Sequence, residues 1–154
     1  QLGESLLADG RWRLFAFAGK GDAGSADSPI ARFCNELVGS AGSPLRRYTP
    51  AGADLDAVFD VRAVFQQNHH QLPITAMPEL LFPHKGRLGL RDYEKACCAL
   101  TTPQEDIYTL RQIDRDSGCL VVVRPDQYIA HVLPLDAMDD LAAYFGRFML
   151  DAGA

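Results

Sequence analysis

Gly19-Lys20-Gly21-Asp22-Ala23-Gly24 has the Gly-x-Gly-x-x-Gly spacing with which a backbone turn cradles a pyrophosphate at a helix N-terminus. That chemistry needs the helix to open at the loop itself. The first helix-start signal is Ser28-Pro29, several residues later, and the acidic residues Asp54 and Asp56 precede the next strand instead of ending it. The segment therefore reads as a connecting loop. Four cysteines offer thiol chemistry, but none forms the Cys-x-x-Cys pair in which a low-pKa nucleophile has a resolving partner one turn on. Cys34 falls on an apolar helix face, Cys97 and Cys98 are adjacent, and Cys119 opens a strand, so all four read as small core residues. His69-His70, His84 and His131 lack the two-to-four-residue separations of a structural zinc site, and no Gly-x-Ser-x-Gly elbow is present. No catalytic, cofactor-binding or metal-ligating residue is assigned.

The elements around these groups follow from periodicity. Trp12 to Ala18 alternates as a strand does, and Gly19 to Asp27 is its loop. Ser28 is then an N-cap and Pro29 a first helical residue, with Ile30, Phe33, Cys34, Leu37 and Val38 on one face. Gly39 to Pro50 reads as loop and Val58 to Phe65 as a second strand with Phe59, Val61, Ala63 and Phe65 on one side, completing a βαβ unit with parallel strands and a right-handed crossover. Gln66 to Leu90 is irregular, since Pro73, Pro78 and Pro83 bar any long helix. A short helix is expected over Asp92 to Leu100 and a brief extended piece at Tyr108. Leu120 to Val123 and Tyr128 to Leu133 then flank Arg124-Pro125-Asp126-Gln127, where Pro125 presets the second position of a type I turn and Asp126 suits the third. Asp136 is the expected cap of a last helix carrying Met138, Leu141, Ala142, Phe145, Phe148 and Met149 at helical spacing.

The phrases Ile113-Asp114-Arg115, Val122-Val123-Arg124-Pro125-Asp126-Gln127-Tyr128 and Leu133-Pro134-Leu135-Asp136 carry a resemblance. So do Asp9-Gly10-Arg11-Trp12-Arg13-Leu14-Phe15-Ala16-Phe17-Ala18-Gly19, Phe59-Asp60-Val61-Arg62 and Leu90-Arg91-Asp92-Tyr93-Glu94. With them the whole chain resembles the C-terminal domain of phenol 2-monooxygenase-type, FAD-dependent aromatic hydroxylases. The resemblance implies an α/β, thioredoxin-like fold: a central mixed sheet with the βαβ unit, then the hairpin and a C-terminal helix. It implies a domain without thioredoxin chemistry, and Leu110 to Cys119 also lacks the proline that thioredoxins place before the hairpin. It further implies a parent enzyme in which FAD, NADPH and a phenolic substrate are held by upstream parts of the polypeptide. Residues 1–154 would then be one domain for stability, packing on the catalytic part and subunit association, the parent being a homo-oligomer. The echo of a flavin-site phrase in Gly21-Asp22-Ala23 is coincidental, because in the family that phrase lies upstream. Which aromatic is hydroxylated is set outside this chain. The alternative is an autonomous thioredoxin-like redox or interaction module without flavin chemistry.

Composition bounds the rest. The 154 residues are 47% apolar, enough for one real core, and the net charge of −5 with no basic run gives no footprint for nucleic acid or an anionic membrane. Neither a spanning stretch nor a signal-peptide pattern is present, so a cytoplasmic location is expected. The start at Gln1 instead of Met reads as a piece of a longer polypeptide. Arg124, Asp126, Gln127 and Tyr128 are left as the candidate interface. Either they close the turn, with Arg124 paired to a carboxylate such as Asp114 or Asp116, or they dock this hairpin tip on the flavin-bearing part or a partner subunit.

Overall fold

The computed structural model describes residues 8–99, 102 and 106–152. Gln1 to Leu7, and Leu100 at the end of the expected Asp92 to Leu100 helix, lie outside them. Strand β1 is Trp12–Phe17 and β2 is Phe59–Phe65, paired in parallel from Trp12–Phe59 to Phe17–Val64. Between them runs α1, Pro29–Gly39, capped as its sequence dictates: Ser28 Oγ accepts from the Ala31 N–H at 3.1 Å, with Pro29 in the first turn. Ile30, Phe33, Cys34 and Leu37 are buried. Strands β6 (Cys119–Val123) and β7 (Ile129–Leu133) form the expected antiparallel hairpin, and β6 also pairs antiparallel with β1. At the tip, the Gln127 N–H donates to the Arg124 carbonyl at 2.9 Å and Gln127 takes a φ of 69°. This is a type I turn followed by a left-handed residue, with the register shift of a bulge at Val123.

Several expectations need correction. The Gly39 to Pro50 loop contains α2, Pro44–Tyr48. Ser43-Pro44 repeats the start signal of α1, and Leu45 and Tyr48 are buried, but five residues are too few for periodicity to register. Where a helix was expected after Asp92, Ala96–Cys98 forms strand β5, parallel to β2. Strand β2 would otherwise present unpaired polar groups: the Ala63 N–H donates to the Lys95 carbonyl and the Ala99 N–H to the Phe65 carbonyl, each at 2.8 Å. Tertiary demand overrode local propensity there. The Tyr108 region is helical, α3 spanning Ile107–Leu110, because Asp106 accepts from the Tyr108 and Thr109 N–H groups and caps it. Asp136 does not cap α4 (Met138–Phe145). Ala137 holds the cap position after its N–H turns back to the Pro134 carbonyl, which leaves Asp136 one residue early. Phe148 and Met149 lie beyond that helix, Phe148 packing on Trp12 with ring centroids 5.6 Å apart.

The irregular middle holds three short 3₁₀ turns, at His69–Gln71, Ile74–Ala76 and Glu79–Leu81, and a two-stranded piece made of β3 (His84–Lys85) and β4 (Leu90–Arg91). The main sheet runs β5-β2-β1-β6-β7. Its inner face carries Leu14, Ala16, Phe59, Val61, Leu120 and Val122 and is buried under α1, α2, α4 and Leu80 to Phe82. Alternation sends Phe15, Phe17, Val64 and Val123 to the outer face, where Tyr108 of α3 covers part of them. This five-stranded mixed sheet is the thioredoxin-like α/β arrangement that the resemblance implies.

Candidate interface on the outer face of the sheet

Open α/β sheets bind ligands beyond the carboxyl ends of their parallel strands. In this protein that crevice is filled by its own side chains. The Tyr108 hydroxyl lies 2.8 Å from both the Ala18 and Val64 carbonyls, and Gln66 Nε2 donates to the Ala18 and Arg115 carbonyls at 3.0 and 2.8 Å. Burial pushes the Tyr108 phenol well above its ordinary range. Arg115 stacks over the Tyr108 ring and pairs with Asp106, the cap of α3. The Gly19 to Gly24 loop is closed in the same way. Asp22 accepts from the Gly24 N–H at 2.8 Å and from the Ile30 N–H at 2.9 Å, so a carboxylate of the chain already occupies the place an anion would take before α1. Gly118 approaches the Phe17 carbonyl so closely, at a φ of 64°, that only glycine fits.

At the opposite ends of the strands lies a charge cluster that the sequence reading did not find. Lys95, 1% exposed, places Nζ 2.5 Å from Asp60 and 2.8 Å from Asp56. Asp56 also meets Arg11 at 2.8 Å and Lys85 at 2.7 Å, Lys85 meets Asp92 at 2.9 Å, Arg13 meets Asp9 at 2.8 Å, and Arg62 Nε donates to Asp60 at 3.0 Å. Three of the phrases that carry the resemblance thus converge in space. Burial alone would raise the Asp56 carboxyl, but hydrogen bonds from Lys85 and Lys95 outweigh it and hold it at about 2. Asp60 is likewise lowered, burial being overcome by Lys95 and then Arg62, and Asp92 is lowered chiefly by Lys85. The available signal was charge inside apolar strands: Arg13 beside Leu14, and Asp60 and Arg62 within Phe59–Phe65.

Between this cluster and the hairpin edge the outer face is apolar and open. A groove of about 800 Å³ has Phe15, Phe17, Val121 and Val123 in its floor and Gln112, Ile113, Tyr128, Ile129 and Val132 at its rim. Tyr128 is 72% exposed, Ile129 61% and Val132 55%. Arg124 pairs with Asp126 at 2.6 Å, not with Asp114 or Asp116. Asp114 is engaged with the Asp116 N–H and the Ser117 hydroxyl. The turn thus satisfies its own charges, while Tyr128 beside it stands out into solvent.

A family model described as the C-terminal dimerisation domain of phenol hydroxylase matches residues 1–153. The chain belongs to this family. It is 51% identical over 150 residues to a 3-hydroxybenzoate 4-monooxygenase of Comamonas testosteroni, covering 97% of this chain and 24% of that protein. It is 30% identical over 152 residues to the FAD-dependent monooxygenase terD of Aspergillus terreus, covering 97% and 25%. The dimerisation domain therefore spans about a quarter of the length of these relatives. Its cysteines are poor nucleophiles, since burial pushes the Cys34 thiol up to about 12 and raises Cys97, Cys98 and Cys119. The domain's histidines are scattered: His69 stacks on His70, His84 lies 3.3 Å from Glu79, and His131 packs on Tyr144. Among the described residues no three His, Cys, Asp or Glu side chains converge on a metal-sized site, and no helix is long and apolar enough to cross a membrane.

Proposed function

We propose that residues 1–154 form one non-catalytic dimerisation domain of a longer FAD-dependent hydroxylase, which uses NADPH and dioxygen to hydroxylate a phenolic ring. The observation that carries this is the family match over residues 1–153, joined by 51% identity to a 3-hydroxybenzoate 4-monooxygenase. In this reading FAD, NADPH and the aromatic substrate are held by upstream parts of the polypeptide, and the chemistry is the cofactor's. This chain supplies no catalytic, cofactor-binding or metal-ligating residue. It contributes stability, packing against the catalytic part and subunit association. Arg124, Asp126, Gln127 and Tyr128 belong to its contact surface. The parent is a cytoplasmic homo-oligomer without nucleic-acid or membrane partners, in keeping with a net charge of −5.

An antibody raised against this chain tests the reading in extract of the source cells. The expected band is about four times 16.9 kDa, and the purified polypeptide should be yellow and oxidise NADPH in the presence of 3-hydroxybenzoate. A band near 16.9 kDa would instead support the autonomous redox or interaction module. Stoichiometric FAD on this chain alone would sink the non-catalytic assignment.

A further inference from the structure

We propose that the open groove is the seat of a second copy of this domain, related by a two-fold axis, with Tyr128 of each copy entering the groove of the other. The proposal rests on the dimerisation reading above and says which surface does the work. Four observations support it. First, an antiparallel strand facing water alternates apolar with polar, yet the outer positions of β7 are Ile129 and Val132, both more than half exposed. The strand is also a sheet edge, with neither proline nor a charged side chain to protect it.

Second, a two-fold contact uses one patch on both copies, so that patch must carry projection and recess together. Tyr128 projects from the rim of the recess floored by Phe15, Val121 and Val123. Third, among the described residues Gln112 and Gln127 are the two non-glycine residues with positive φ, at 53° and 69°, and both line this groove. A carboxamide both donates and accepts, so each glutamine can pair with its own copy across an axis. Fourth, the patch does not repel itself: Arg124 is neutralised by Asp126, and the rim residues Arg111 and Asp114 are of opposite sign. Burying about 800 Å² per partner, the usual size for a stable complex, would use roughly a tenth of the 8856 Å² surface of the domain.

The test is sedimentation of the full natural polypeptide at micromolar concentration. Val132→Asp should raise the dimer dissociation constant by at least about tenfold, as expected when an unpaired charge is set against the apolar lining of the groove. Leu150→Asp, at an 87% exposed apolar site beyond α4, should leave the dimer intact. A dimer that survives Val132→Asp but is lost on deleting residues 1–154 overturns the groove and keeps the dimerisation reading. A dimer that survives the deletion overturns both. Should Val132→Asp fail to fold, Tyr128→Cys treated with a short bismaleimide decides. A band of twice the mass, not given by Asp139→Cys on α4, supports the proposal, and no such band overturns it.

Discussion

The two faces of the sheet are built from alternate residues of the same strands, yet they solve the problem of burial differently. On the inner face Leu14, Phe59, Val61 and Leu120 meet helices, and the cover comes from the chain itself. The outer face is divided. At the starts of β1, β2 and β5 it is closed by its own ions, with Lys95 between Asp56 and Asp60. Towards β6 and β7 it is apolar and left open. The inner face accounts for folding, whereas the open part of the outer face is where we place the second copy.

Phe59→Ala attacks the inner face and should have the largest effect, a loss of about 3–5 kcal/mol in chemical denaturation of the chain. Lys95→Met comes next, at about 3 kcal/mol, because it takes the buried ammonium from between Asp56 and Asp60 and leaves Asp56 to Arg11 and Lys85 and Asp60 to Arg62. A loss under about 0.5 kcal/mol would mean that the cluster behaves as a solvated surface, and the division of the outer face would fail. The same cluster predicts an acid limb. Asp56, Asp60 and Asp92 have folded pKa values below the ordinary 3.8, so their contribution is full above that pH and drains away as pH falls, down to about 2 for Asp56. Urea midpoints between pH 2 and pH 6 should show this slope, and Lys95→Met should flatten it. Tyr108→Phe removes the hydroxyl that serves the Ala18 and Val64 carbonyls and should cost about 1–2 kcal/mol, read from thermal melts. Val132→Asp should change the stability of the isolated chain least, by about 0.5 kcal/mol or less, despite its effect on association.

What was legible in the sequence was local. Ser28-Pro29, the apolar stripe of α1 and the Pro125-Asp126 turn each announce themselves within a few residues, and each stands as read. Strand β5 does not, because Ala96-Cys97-Cys98 extends only to satisfy the edge of β2. Helix α2 repeats the signal of α1 and was missed for its shortness. The charge cluster was out of reach for a different reason. Asp9, Asp56, Asp60 and Lys95 become neighbours only through the register of β1, β2 and β5, and Lys85 reaches them from β3 of the separate two-stranded piece. The groove was half visible: the tip was named, but the floor beneath it depends on Phe15 pairing opposite Val121.

The order β5-β2-β1-β6-β7 also fixes a timetable. Within the domain strand β1 is made first but lies at the centre of the finished sheet, and its partner β6 follows about 100 residues later. Until the hairpin arrives, one edge of β1 has no partner, and the surface that β6 and β7 complete does not exist. A nascent chain therefore cannot use that surface to capture a neighbour on the same message before synthesis of this domain is nearly finished. Pairing of subunits through the hairpin would be a late event, joining protomers already folded upstream.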